Sequence, residues 1–93
     1  MTTYREKFNE RYGFEKDESH SLNDISRLTG YSRSGLQTIF NKGVGAYFTN
    51  PESVRPQVNS PEQWAYARVY SAVMGGPTAR IDAKHLKKSI SLS

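Results

Sequence analysis

Residues 22–42, LNDISRLTGYSRSGLQTIFNK, contain two apolar patterns of helical spacing separated by a glycine. In both patterns the apolar side chains recur every three or four positions, which is the spacing of one helix face. They are Leu22, Ile25 and Leu28 before the break and Leu36, Ile39 and Phe40 after it. Gly30 falls at the break, where a sharp turn between crossed helices needs a residue that accepts positive φ. The stretch therefore predicts helices over 22–28 and 32–41.

This arrangement resembles the helix-turn-helix family. Ser26 is small where the two helices must approach, Gly30 occupies the turn, and Tyr31, Leu36 and Ile39 supply apolar positions after it. The resemblance implies that the second helix enters a DNA groove, as recognition helices of that family do. The alternative is a helical hairpin that packs within a bundle and exposes its polar face only to solvent.

The outer face of the second helix holds the first set of candidate DNA contacts. Arginine pairs with guanine and glutamine with adenine through two hydrogen bonds each, and hydroxyl side chains can contact phosphates or base edges. The candidates are Ser32 (also the expected N-cap), Arg33, Ser34, Gln37, Thr38 and Lys42. Gly35 departs from a good helix, because glycine costs about 0.8–1 kcal/mol relative to alanine. It indicates either a close backbone approach or a short, distorted helix.

Basic residues further along the chain complete the candidate nucleic-acid site. They are Arg55, Lys84, Lys87 and Lys88. For Arg55, between a valine and a proline, we favour hydrogen bonds that hold the local backbone over a phosphate contact. The three lysines form a basic C-terminal cluster that either contacts phosphates without sequence preference or is solvated.

Capping signals predict three further helices, over 4–12, 61–74 and 83–88. The first follows the capping box Thr3-Tyr-Arg-Glu6, and the second follows a Ser-Pro start with glutamine at the third helical position. Asp82 is the expected cap of the third, with Ile81 and Leu86 as a hydrophobic staple. After the helix predicted over 32–41, Gly43 and Gly45 predict a helix end.

Residues 43–59 are therefore predicted to form an ordered irregular connector, pinned in part by Tyr47 and Phe48. Stacking of these two rings on unpaired bases is the alternative. Within helix 61–74, Trp64 is expected in the core. Arg68 lies among small and apolar residues and needs a carboxylate partner, for which Asp24 and Asp82 are the candidates.

The length of 93 residues fits one small domain over 1–93, and the helix patterns predict an all-α fold of four or five helices. The net charge is +4, and residues after 24 carry nine basic side chains against three acidic ones. Such a surface suits phosphates, although it also serves solubility alone.

There is no cysteine, and the two histidines lack a metal-ligand spacing, so we expect no metal, cofactor or enzymatic activity. No apolar run is long enough to cross a membrane.

Beyond the hairpin, nearly the whole chain resembles a small domain of unknown function associated with large DNA viruses and tailed phages. The resembling stretches are KFNERYGF, SLNDISRLTGYS, GLQTIFNKGVGAYFTNPESVRP and SPEQWAYARVYSAVMGG. The resemblance implies a viral origin and no catalytic or binding residues. We therefore expect a viral or phage DNA-binding protein acting in the host cytoplasm or nucleus. A virion-associated or host-protein interaction module without DNA binding is the alternative.

Overall fold

Five α-helices and one 3₁₀ turn follow one another along residues 3–49 and 60–86, the part of the chain that the computed structural model describes. They are α1 (Tyr4–Tyr12), α2 (Leu22–Thr29), α3 (Arg33–Thr49), α4 (Pro61–Val73), α5 (Pro77–Ile81) and the 3₁₀ turn Ala83–His85. The predicted all-α fold class is confirmed. The predictions for α1, α2 and α4 match to within one residue at each end.

The helices begin and end where the side chains at their termini satisfy free backbone groups. The Glu6 N–H donates to Thr3 Oγ1 at 3.1 Å, and the Thr3 N–H donates to Glu6 Oε1 at 3.0 Å, which completes the predicted capping box. Ser60 Oγ accepts from the Gln63 N–H at 3.1 Å. Gly13 ends α1 in the left-handed conformation, with φ at 79°.

The prediction that α3 ends before Gly43 is wrong, because the helix continues to Thr49. At Gly43 the helix meets α4 so closely that a Cβ would lie 2.7 Å from the Ala65 Cα atom. Burial against α4 outweighs the low helix propensity of glycine there. Residues 43–49 of the predicted connector are thus helical, and residues 50–59 lie outside the described residues.

The C-terminal part differs from the predicted helix over 83–88. A short helix, α5, precedes it, and only Ala83–His85 form a 3₁₀ turn, while Lys87 and Lys88 lie outside the described residues. The Asp82 side chain makes no capping hydrogen bond. Ile81 is 65% exposed, so the predicted staple is also wrong.

Arg68 takes Asp82 as its partner, one of the two predicted candidates. Arg68 Nε donates to Asp82 Oδ2 at 2.9 Å, and Nη2 donates to Oδ1 at 3.0 Å. Asp82 is fully buried, and the paired geometry compensates its charge. The carboxylate that the sequence assigned to a helix cap instead ties the end of α5 to α4.

The core lies where α3 and α4 cross, with α1 and α2 covering it. Phe8 packs edge-on against Tyr70, with ring centroids 5.3 Å apart. The buried cluster comprises Phe8, Leu22, Ile25, Leu36, Ile39, Val69, Tyr70, Ala72 and Val73. Trp64 is half-buried and does not belong to this cluster, so its predicted core position is not confirmed.

A buried asparagine orders the polar connector between α1 and α2. Asn9 is fully buried, and its Nδ2 donates to the carbonyls of Lys16 at 3.0 Å and Glu18 at 2.9 Å. Its Oδ1 lies 2.6 Å from Nε2 of His20. These bonds fix the entry of the chain into α2, and so the position of the hairpin that follows.

Candidate nucleic-acid interface

The turn between α2 and α3 is short and held by hydrogen bonds. Gly30 has φ at 81°, and its N–H donates to the Ser26 carbonyl at 2.8 Å. The Ser26 hydroxyl donates to the Tyr31 carbonyl at 2.6 Å, so this residue contributes a bond as well as small size. The Tyr31 N–H in turn donates to Thr29 Oγ1. The turn therefore fixes how α3 leaves α2.

One face of α3 is buried and the opposite face carries the candidate residues. Leu36 and Ile39 are fully buried, as the apolar spacing predicts. The described candidates remain accessible: Arg33, Ser34 and Lys42 are exposed, and Ser32, Gln37 and Thr38 are half-buried. The first half of α3 thus presents cationic, amide and hydroxyl groups together.

A row of polar side chains runs along this face, and we call Asn23, Arg33, Gln37 and Asn41 the polar row. Arg33 Nε donates to Asn23 Oδ1 at 2.8 Å, and Arg33 Nη1 donates to Gln37 Oε1 at 2.8 Å. Gln37 Nε2 donates to Asn41 Oδ1 at 3.0 Å. The row holds the arginine and glutamine side chains extended across the helix surface.

Sequence reasoning missed Asn23 and Asn41. Asn41 follows Arg33 and Gln37 at intervals of four residues, so helical spacing alone places it on the same face. Asn23 belongs to α2, and only the geometry of the turn brings it to Arg33. Both amides offer paired donor and acceptor groups of the kind that bind adenine.

The hydroxyl candidates cluster at the start of α3. Ser32 Oγ lies 2.9 Å from Ser34 Oγ and accepts a long bond, 3.5 Å, from the Gly35 N–H, which makes it a weak N-cap. Thr38 Oγ1 donates to the Ser34 carbonyl at 3.1 Å. These hydroxyls are positioned by their own helix.

The 3₁₀ turn brings Lys84 to this cluster. A groove of about 220 Å³ lies where the turn meets α3, and it is lined by Ser32, Ser34, Gly35, Thr38, Lys84 and His85. Lys84 is exposed. The structure therefore joins one predicted lysine to the α3 candidates, whereas Arg55, Lys87 and Lys88 lie outside the described residues.

Positive charge dominates around this groove. Partial burial, together with Lys42 and Lys84, lowers the pKa of His85 below its ordinary value, and Asp82 opposes the shift only in part. The Asp24 side chain on α2 is 45% exposed, and its carboxylate pairs with Arg27 at 2.8 Å. That hydrogen bond lowers the pKa of Asp24. Helix α3 itself contains no acidic residue.

Metal and membrane sites find no support within residues 3–49 and 60–86. No group of three or more histidine or acidic side chains there could hold a metal ion. None of the helices in these ranges is long and apolar enough to cross a membrane.

These features define a small all-α protein with a polar, partly basic helix face beside a narrow groove. Over residues 1–88 the chain matches the family of unknown function DUF5824 and belongs to that family. No curated protein and no solved structure matches it.

Proposed function

We propose that this protein binds nucleic acid, with α3 as the helix that contacts duplex DNA. The observation that carries the proposal is the polar row together with its surroundings. Arg33 and Gln37 are held extended on the first half of the second helix of a tightly turned hairpin, where recognition helices contact bases. The protein would act by binding and not by catalysis.

The charges around α3 support this assignment. Arg33, Lys42 and Lys84 are exposed on α3 and on the 3₁₀ turn beside it. If each neutralises one phosphate, the logarithm of the binding constant falls with the logarithm of salt concentration with a slope of about −2.7. Affinity would then drop about 40-fold between 50 and 200 mM salt.

A fluorescence-polarisation titration with random-sequence duplex DNA over a salt series tests the proposal. We expect saturable binding at low salt with the slope given above. The double variant Arg33→Ala/Gln37→Ala should lose about five- to tenfold in affinity at about 0.1 M salt, the contribution of one phosphate contact, and more on a preferred sequence. Arg11→Ala, which removes one exposed charge from α1, serves as the matched control.

Two results would count against the proposal. If the wild-type protein fails to bind duplex DNA at low ionic strength, the nucleic-acid function is wrong. If the double variant keeps its helical circular dichroism and binds like the control, α3 is not the contacting helix.

A virion-associated or host-protein interaction module is the second candidate. Phe48 is 66% exposed near the end of α3, and its ring meets Tyr47 with centroids 5.4 Å apart. Exposed aromatic side chains are favoured in protein interfaces. Absence of DNA binding at low salt would favour this candidate.

We further propose a viral or phage origin, with action inside the host cell. Support for it comes from the resembling stretches, of which GVGAYFTNP and QWAYARVYS are the most distinctive.

A further inference from the structure

The groove between α3 and the 3₁₀ turn exists because residue 35 is a glycine. A Cβ at Gly35 would overlap the carbonyl oxygen of His85. Glycine destabilises a helix interior relative to alanine, and here it allows the 3₁₀ turn to lie directly against α3. The unusual glycine noted in the sequence therefore serves a contact within the chain. It also sets where Lys84 stands relative to Ser34 and Thr38.

The residues that line the groove suit an oxyanion. One lysine and three hydroxyls face it, and no carboxylate is among them. His85 also lines it, and the Nε2 atom of this residue is buried with no hydrogen-bond partner in the described part of the chain. An unpartnered buried nitrogen is unfavourable, and an anion that accepts a hydrogen bond from the Nε2 atom would relieve that cost.

The volume restricts what can enter. Pockets for drug-sized ligands occupy about 300–1,000 Å³, whereas this groove measures about 220 Å³. A phosphate group fits within this volume, whereas a whole nucleotide would extend beyond it.

We propose that this groove holds one phosphate of the nucleic-acid backbone, with Lys84 supplying the charge and the paired hydroxyls of Ser32 and Ser34 supplying a hydrogen bond. This inference rests on the proposed function. A phosphate held here would place the backbone against the first turn of α3 and leave the polar row to face the bases. Gly35 is then a positioning residue, which acts through His85 to keep Lys84 beside α3.

Duplex-DNA titrations over a salt series test the groove with three variants. Lys84→Gln should weaken binding about five- to tenfold at about 0.1 M salt and make the salt slope shallower by about 1, for all sequences alike. Gly35→Ala should show the same loss, because the added methyl displaces the 3₁₀ turn. Gly45→Ala is the matched control in the same helix, since a Cβ there meets no atom within 4 Å. Circular dichroism checks that each variant keeps its helices.

An NMR titration with inorganic sulfate tests the groove without DNA. Saturable shifts are expected at the amides of Ser34, Gly35, Thr38 and Lys84, and Lys84→Gln should abolish them. This arm remains informative if Gly35→Ala does not fold.

The outcomes separate the two proposals. If the wild-type protein binds DNA but Lys84→Gln keeps the full salt slope, the groove is not a phosphate site. Sulfate shifts that are scattered over basic residues elsewhere would also overturn it. If sulfate saturates the groove and no DNA binds, the nucleic-acid assignment fails, and the bound phosphate group belongs to another ligand.

Discussion

Replacing Gly43 by alanine, compared with the same change at Gly45, tests how α3 packs against α4. The two glycines lie two residues apart in one helix, so each change raises helix propensity by about 0.8–1 kcal/mol. Their surroundings differ. A Cβ on Gly45 meets no atom within 4 Å, whereas one on Gly43 would lie 2.7 Å from the Cα and 3.1 Å from the Cβ of Ala65.

The magnitudes follow from those distances. Gly45→Ala should raise the free energy of unfolding by up to about 1 kcal/mol, which corresponds to about 4–8 °C in Tm for a domain of this size. Gly43→Ala gains the same propensity but forces two backbones apart, and overpacking costs about 1–3 kcal/mol. The net effect of Gly43→Ala therefore lies between no change and a loss of about 2 kcal/mol.

Thermal and urea unfolding, followed by far-ultraviolet circular dichroism, measure the difference between the two variants. We expect the free energy of unfolding of Gly45→Ala to exceed that of Gly43→Ala by about 1–3 kcal/mol. Equal stabilisation of both would show that α3 and α4 do not approach closely at Gly43. A neutral or destabilising Gly45→Ala would show that residue 45 is not helical. It would then belong to the irregular connector that the sequence pattern alone predicts.

Three further predictions concern stability and protonation. Arg68→Ala removes the bidentate partner of the fully buried Asp82 and should lower the free energy of unfolding, measured by urea unfolding, by about 3–5 kcal/mol. A loss below about 1 kcal/mol would contradict this. Phe8→Ala should lower the free energy of unfolding by about 3–5 kcal/mol and Trp64→Ala by less, because Phe8 is fully buried in the core and Trp64 is only half-buried outside the core cluster. Equal losses of stability would place Trp64 in the core. By NMR, the imidazole of His85 should titrate below its ordinary pKa near 6.5, and Lys84→Gln should raise that pKa. Because the unfolded chain then binds the proton more readily, this histidine makes stability fall as pH drops through 6.5 toward the folded pKa, and a titration at or above 6.5 would refute the cause given.

Local signals were sufficient to predict most helix ends. The Thr3 and Ser60 caps each depend on a residue three positions away, and Gly30 depends only on its own backbone conformation. The accessible face of α3 is equally local, because burial of Leu36 and Ile39 decides which side of the helix faces solvent. These features are encoded within one or two helical turns, so pattern and propensity suffice to find them.

Features that depend on distant partners could not be predicted in this way. Aspartate is a common helix cap, yet the carboxylate of Asp82 instead accepts hydrogen bonds from Arg68, fourteen residues earlier. Glycine commonly ends a helix, yet at Gly43 the close approach of α4 at Ala65 keeps the helix intact. In both cases a tertiary contact outweighs a local preference that amounts to about 1 kcal/mol.

Gly35 shows how the two kinds of information meet in the candidate site. Its low helix propensity marks the position in the sequence, but the choice between a distorted helix and a close approach depends on what lies opposite. The approaching group is the carbonyl of His85 from the chain itself, so the glycine joins Lys84 to the start of α3. Helical spacing along α3 places Arg33, Gln37 and Asn41 of the polar row on one face, whereas Asn23 required the turn after α2 to be placed and the groove required the 3₁₀ turn. A variant at residue 35 therefore tests the link between fold and proposed function more directly than a variant within the row, because it leaves every candidate contact residue unchanged in identity.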